Sequence, residues 1–418
     1  MFQLVKNEYI KLFKKPKNIM VLVLLIVCTC ILIVMGYIDE KNTKKYMGTE
    51  RQINSYEEII KNNKIELGNI EKELNKASNE EKISLEESKS RLNEDNLYYK
   101  EEIKKLNKIL EHPVEWKGIL EQELVQSRKS IEELTEINKG IRNEDAKLDE
   151  IFLIKDRIAF NEYYLENNIK PVYTWEMYPS FTLLNLSNFF ALMIPIFIVM
   201  LGSDIVSDEG TNETFKFLLI QPEKRGRILV SKLLTLISIA LISIFGIQLI
   251  IFVGTGIVRG FSDLEMLVRI GLKYEMNSES LIKEGYSLVK LIVGSGEITN
   301  YGVFLGQMLI LQAIYIIGCC FVTFMFSTIF KNNLVSLIFS TIVVIGGAVV
   351  PMFEMGVPGS VHLSFFIYGW TREIISGEMQ WILKNPNILA SVGATVIIIT
   401  SGIVYLIAHN NFKRKDIL

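Results

Sequence analysis

Uncharged apolar runs alternate with polar segments along this chain, and several runs have the length of a bilayer core. No Asp, Glu, Lys or Arg falls between Met177 and Ser203, between Leu233 and Val258, or between Ile298 and Phe330. A helix needs about 20 apolar residues to cross the hydrocarbon. The pattern predicts six spanning helices, at 18–38, 181–202, 230–257, 301–330, 334–352 and 387–409. Met355–Thr371 is also free of those charges but is broken by Gly356, Pro358, Gly359 and Gly369. Within the segment 353–386 it reads as a short re-entrant or outer-leaflet element, since irregular backbone is excluded from lipid unless protein covers it.

Polar segments separate these runs. In residues 1–17, Phe2, Val5, Tyr9, Leu12 and Phe13 fall at helical spacing with lysines opposite, and Pro16 ends the pattern. This segment is either an amphipathic elbow helix on the inner leaflet or a plain basic flank of the first span, and both place the N-terminus inside. Residues 39–180 are dense in charge of both signs. Here Leu85, Leu92, Tyr99 and Leu106 repeat every seven residues, as do Ile60, Leu67 and Leu74. Beyond His112-Pro113 the seam resumes at Leu120, Leu124, Ile131, Leu134, Ile141 and Leu148. Heptad seams on either side of a Pro break predict an antiparallel, coiled-coil-like helical hairpin. The register slips near Asn79–Lys82, where a skip or bend in the first arm is expected.

Charge sets the orientation. Lys11, Lys14 and Lys15 flank the first span, Lys216, Lys224, Arg225 and Arg227 fill the loop 203–229, and Lys413, Arg414 and Lys415 lie in the tail 410–418. Basic segments stay cytoplasmic. Both termini, the loop 203–229 and the short loop 331–333 are then inside, and 39–180, 258–300 and 353–386 are extracellular. A seventh span at 355–371 would move the basic tail outside. The expected fold class is therefore an all-α membrane protein with six transmembrane helices, cytoplasmic termini and an extracellular helical hairpin between the first two spans. Lys11, Lys14, Lys15, Arg225, Lys413 and Arg414 are the expected membrane anchors.

Composition adds exclusions. The chain is 49% hydrophobic and 22% charged, and the two classes are segregated by segment, which excludes one soluble core. The first apolar run is longer than a signal-peptide core and lacks a small-x-small cleavage site, so it reads as a retained anchor. Cys28 with Cys30, and Cys319 with Cys320, lack metal-ligand spacing and read as small helix fillers. The Lys/Asn/Ile-rich composition points to the plasma membrane of a low-GC Gram-positive bacterium.

No GxxxxGK[ST] phosphate loop, HExxH or GxSxG occurs, so the motifs that cradle ATP phosphates, bind a protease zinc or present a hydrolase serine are missing. His112, His362 and His409 lie on three separate segments. No catalytic residue, metal or cofactor is expected on this chain. Gln248, Gln307 and Gln312 are the polar mid-span residues, and they either hydrogen-bond helix to helix or line a substrate path.

The loop 203–232 carries further information. Asp208, Glu209 and Glu213 suit the positive end of a short helix, and Phe215, Phe217, Leu218 and Leu219 give it an apolar face. Glu209, Thr214, Lys216, Leu218, Leu219, Pro222, Arg225 and Lys232 together resemble the signature of ABC-2 type transporter permeases. The N-terminal NEYIKLFKKP is similar to that family's elbow helix, and FKRKDI to its tail. The glycine that the family places before the threonine is Glu213 here, while Gly210-Thr211 stands three residues earlier. The resemblance implies a coupling helix that seats in an ATP-binding subunit. It would use Asp208, Glu209, Thr211, Glu213, Thr214, Phe215 and Lys216, with a minor contact at Lys331 and Asn332. It further implies two ATP-binding subunits that carry ATP and Mg, a second permease copy, identical or similar, and export of a hydrophobic or amphipathic drug, antimicrobial peptide or lipid. Self-immunity against a toxin or lantibiotic, and ion export, use the same machinery. A membrane-anchored coiled-coil sensor or scaffold is the reading of a different class. Neither the resemblance nor the residues indicate a nucleic-acid partner.

Overall fold

The structure is a computed structural model, which describes residues 2–47, 49–74, 79–111, 116–140, 145–211, 225–277, 289–353 and 360–414. The chain divides into two units. One comprises Met1–Ile33, Glu133–Phe160 and Pro171–Leu418, and the other Val34–Glu132 and Asn161–Lys170. The fold is mostly helical.

The larger unit is a helix bundle. The chain enters through α1 (Phe2–Lys14) and turns at Lys15 into α2 (Pro16–Met47). The bundle continues with α7 (Pro179–Gly202), the short α8 (Ser207–Thr211), α9 (Arg225–Arg259), α10 (Tyr301–Ile329), α11 (Asn333–Phe353) and α14 (Ala390–Arg414). Among the described residues, five helices are long and apolar enough to cross a membrane: Pro16–Lys44, Pro179–Glu209, Arg225–Arg259, Tyr301–Ile329 and Ala390–Arg414. Asn333–Val349 is a shorter apolar helix. The spans differ in what they face: 72% of the apolar window in α7 is buried within the protein and only 17% of that in α2. α7 and α10 form the centre, packing on each other and on α9 and α11, while α10 also packs on α14. Phe190, Ile194, Ile198, Leu229, Leu236, Ile244, Tyr315, Ile316 and Phe324 fill the space between them.

Local chemistry sets the helix starts. Asn300 Oδ1 accepts from Val303 N at 2.9 Å and caps α10, the usual work of an N-cap side chain. α7 begins at Pro179, whose missing N–H is harmless there. Its next donors, Ser180 N and Phe181 N, reach Asp263 Oδ2 at 2.6 and 3.4 Å. Asp263 is thus a cap supplied from a distant loop.

The helical expectation is incomplete within 258–300. Four short strands lie there: β1 (Leu267–Ile270) pairs antiparallel with β4 (Glu297–Asn300), and β2 (Tyr274–Met276) with β3 (Val289–Leu291). Gly271, Gly294 and Gly296 take positive φ between them and let the chain turn. In the segment read as re-entrant, residues 360–369 form two 3-10 turns, followed by α12 (Thr371–Ser376) and α13 (Glu378–Ile382). The backbone of Gly271 and Leu272 donates to Ile375 O and Ser376 O at 2.9 and 3.0 Å, which ties the strands to these short helices.

In the smaller unit, α3 (Thr49–Leu74) packs on α4 (Asn79–Glu111). Asn63 donates to Asn96 at 3.1 Å, Lys89 pairs with Glu71 at 2.7 Å, and the Tyr56 and Tyr99 rings lie 5.2 Å apart. Early residues of one helix meet late residues of the other, so the pair is antiparallel. The arm expected before Pro113 is therefore two antiparallel helices, α3 and α4. α5 (Trp116–Gly140) meets the end of α6 (Asp145–Glu166) through Glu123 with Asn161 at 3.1 Å and Arg128 with Glu162 at 2.7 Å. His112 and Pro113 lie outside the described residues.

Candidate functional site: a buried ion cluster at the elbow

Six helix ends meet on one face of the bundle. α1 lies there, α2 starts, α7 and α10 end, and α9 and α11 start. α14 finishes there too, since Arg225 Nη1 donates to Lys413 O at 3.0 Å. Helical spacing puts Glu8 and Lys11 on one face of α1, with Lys15 just past its end, while buried Leu12 and a Tyr9 hydroxyl bonded to Ser238 Oγ at 2.5 Å fasten α1 to α9.

Lys232 is the centre. Its side chain is 2% exposed, on the second turn of α9. The ammonium donates to Glu8 Oε2 at 2.9 Å, to Glu209 Oε1 at 3.2 Å and to the Ile205 carbonyl at 3.2 Å. An ammonium has three donors, so each finds an acceptor. Glu209 Oε1 also accepts from Lys11 at 3.0 Å. One carboxylate on α8 thereby joins the elbow to the start of α9. A second set lies beside it: Lys15 pairs with Asp204 at 3.2 Å and Asp208 at 2.8 Å, and Lys17 pairs with Asp204 at 2.8 Å.

Uncharged groups hold the turn 203–206 and α8 in place. Ser327 Oγ, at the end of α10, accepts from Val206 N at 2.9 Å and Ser207 N at 3.2 Å. Ser336 Oγ donates to Ser203 O at 2.6 Å. Asn333 accepts from Ser207 Oγ at 2.7 Å and donates to Asp208 Oδ1 at 2.8 Å. The segment that leaves α7 is therefore clamped by α1, α9, α10 and α11 together.

Burial works against the lysine charges, and the carboxylates outweigh it. Burial would lower the Lys11 ammonium, yet Glu209 and Glu8 hold it above its ordinary value. Lys15 is raised in the same way, with burial opposed by Asp204 and Asp208.

Nearly the whole chain, residues 3–416, matches the family model described as an ABC-2 family transporter protein. The chain belongs to the ABC-2 transporter family. It is also similar to the uncharacterized protein YhcI of Bacillus subtilis (strain 168), at 24% identity over 310 residues, covering 72% of this chain and 84% of that one. Members of the ABC-2 family are transmembrane subunits rather than ATPases, so this is a multi-pass membrane protein that works with ABC ATP-binding subunits.

The residues expected to couple an ABC-2 permease to its ATPase divide into two groups. Asp208 and Glu209 sit in the cluster just described, with Thr211 at the end of α8. Glu213, Thr214, Phe215 and Lys216 lie outside the described residues. Lys331 is exposed, and Asn332 Oδ1 caps α11 by accepting from Leu334 N at 2.8 Å. Of the expected membrane anchors, Lys11 and Lys15 direct their charge to the α7–α8 turn, and Arg225 reaches the end of α14. Lys14, Lys413 and Arg414 are exposed. Basic residues in the last turn of α14 also suit its negative end. Gln248 Nε2 donates to Gln312 Oε1 at 2.9 Å inside the bundle, whereas Gln307 borders a cleft at the opposite end.

Sequence reasoning did not select Glu8, Asp204, Ser207, Ser327 or Ser336, and it read Lys232 as a basic loop residue and a signature position, not as a buried partner. Asp204 and Lys232 each close a long uncharged run, and a charge placed there was the available signal. Among the described residues no group of three His, Cys, Asp or Glu side chains is arranged to hold a metal ion.

Proposed function

We propose that this chain is the permease subunit of an ATP-driven exporter, and that the cluster around Lys232 is its coupling joint. The face that carries the cluster is cytoplasmic in this reading, because both basic termini and the basic loop 203–224 share it. The sixth span is α11, which gives six spans with both ends inside. Two ATP-binding subunits, carrying ATP and Mg, dock on residues 207–217 with a lesser contact at Lys331 and Asn332. A second permease copy completes the path for a hydrophobic or amphipathic cargo. The 39–180 insert then lies on the outer side.

The observation that carries the reading is the pair of hydrogen bonds that Lys232 donates to Glu8 and Glu209. A push on the docking segment reaches α8, and α8 cannot move without moving both the elbow and α9. Packed elements joined in this way shift as rigid bodies rather than deform. Self-immunity differs only in the cargo.

The test is copurification followed by ATPase assay. Phe215→Asp lies beyond α8 and is expected to abolish capture of the ATP-binding subunit while the chain still reaches the membrane. A scaffold would capture no ATPase in the first place. Undiminished capture by Phe215→Asp would overturn the docking assignment.

A further inference from the structure

A cleft of about 550 Å³ opens at the end of the bundle opposite the ion cluster. Gln307, two turns into α10, and Ala390, the first residue of α14, both line it, so it lies where two spanning helices begin. Its floor is apolar, with Ile374, Ile375 and Leu389. Around this floor stand Lys273, Glu297 and Gln307. Their side chains make no ion pair or hydrogen bond among the described residues. Close by, Trp381 is 52% exposed, with the Lys384 ammonium 4.0 Å from its ring centre. Exposed tryptophan beside lysine is characteristic of the level where a membrane meets water.

The walls are pre-formed. Gly377 has φ +93°, and a Cβ there would stand 2.1 Å from Leu272 O. A Cβ at Gly296, φ +77°, would stand 2.6 Å from Ile270 O. Gln380 closes the same corner, donating to Leu272 O at 3.0 Å and accepting from Tyr274 N at 3.1 Å. Such close backbone contacts fix the turns that carry Lys273 and Glu297, and pre-organisation of this kind lowers the cost of binding.

We infer that this cleft binds a zwitterionic phospholipid, with phosphate toward Lys273, ammonium toward Glu297 and the acyl end against the Ile374–Leu389 floor. The volume is within the range of small-molecule sites. Opposite charges at Lys273 and Glu297, without a side-chain partner among the described residues, complement a headgroup that carries both signs. The inference rests on the membrane family alone and is independent of export direction or of the coupling joint.

The test uses the full-length chain in detergent and native mass spectrometry. The probes are phosphatidylethanolamine, phosphatidylglycerol and free phosphoethanolamine. Phosphatidylethanolamine is expected to be retained about tenfold better than phosphatidylglycerol, a difference of about 1.4 kcal/mol, with free phosphoethanolamine failing to compete. Lys273→Glu and Glu297→Lys should each cut retention about tenfold without moving the lipid-free melting temperature. The double exchange should recover part of it, because a reversed pair still offers both charges. Equal retention of the two lipids would overturn the inference. So would indifference to both substitutions, or effective competition by the free headgroup, which would identify a site for soluble zwitterions.

Discussion

The two ends of the bundle use charge in opposite ways. At the elbow end, Lys232 is buried and its donors are matched by Glu8, Glu209 and Ile205 O. At the far end, Lys273 and Glu297 line a cleft, and their side chains have no partner among the described residues. A satisfied buried pair fixes geometry and adds little net stability, whereas breaking one side of it is costly. Unpaired rim charges contribute little to the fold and remain free to meet a ligand. The first arrangement suits a joint that must transmit motion, the second a place where something binds.

That contrast can be broken most strongly at Lys232. Lys232→Ala removes the buried cation between Glu8 and Glu209, leaving only the half-exposed Lys11 beside them, and should destabilise the chain by about 3–5 kcal/mol. A fall in melting temperature in detergent would read it. Adding Glu8→Gln and Glu209→Gln to Lys232→Met should recover most of that loss, because the uncompensated charge is then gone. At the far end the corresponding break is in backbone. Gly377→Ala forces a side chain into a left-handed conformation and should cost about 1–3 kcal/mol from φ alone, with the clash against Leu272 O added. It is expected to abolish lipid retention in the cleft while capture of an ATP-binding subunit persists.

Smaller effects sharpen the comparison. Ser327→Ala removes the acceptor of two buried amides and should cost about 1–3 kcal/mol, visible as faster hydrogen exchange at Val206 and Ser207. Gln248→Leu strands Gln312 and should cost about 1 kcal/mol, with Gln312→Leu added to the same chain recovering part of it. The pH response is weakest. Lys11 and Lys15 have folded-state values raised above their ordinary ones, so their contribution is complete below the unfolded value and fades as pH rises through the folded one. Stability from this source is expected to be flat across neutral pH and to decline only at the alkaline end. A pH series of melting temperatures checks it, and Lys11→Ala should flatten the alkaline decline.

Much of this was legible in the chain because it follows from length and period. The spans at 18–38, 181–202, 230–257, 301–330 and 387–409 coincide with long helices, since an uncharged run of that length has few other fates. The elbow followed from the spacing of Tyr9, Leu12 and Phe13, ended at Pro16. What stayed illegible depends on contacts remote in sequence. Glu8 and Lys232 are separated by 224 positions, and no local period pairs them. Asp263 caps α7 from 83 residues away. In the insert, the heptad slip near Asn79 was visible, but a slip has the same appearance whether the helix bends or reverses. Strands such as Leu267–Ile270 are too short for alternation to separate them from an amphipathic turn, and their pairing depends on the glycine turns between them.

The central claim is that the Lys232 link transmits force between the docking segment and the spans. The most direct measurement is the ATPase rate of the copurified complex, with the permease carrying Lys232→Met, Glu8→Gln and Glu209→Gln, compared with wild type. The account predicts that this neutral joint assembles with the ATP-binding subunit and melts near the wild-type temperature, yet no longer changes the ATPase rate when lipid or cargo is added. An ATPase response equal to wild type in that assembled complex would contradict it.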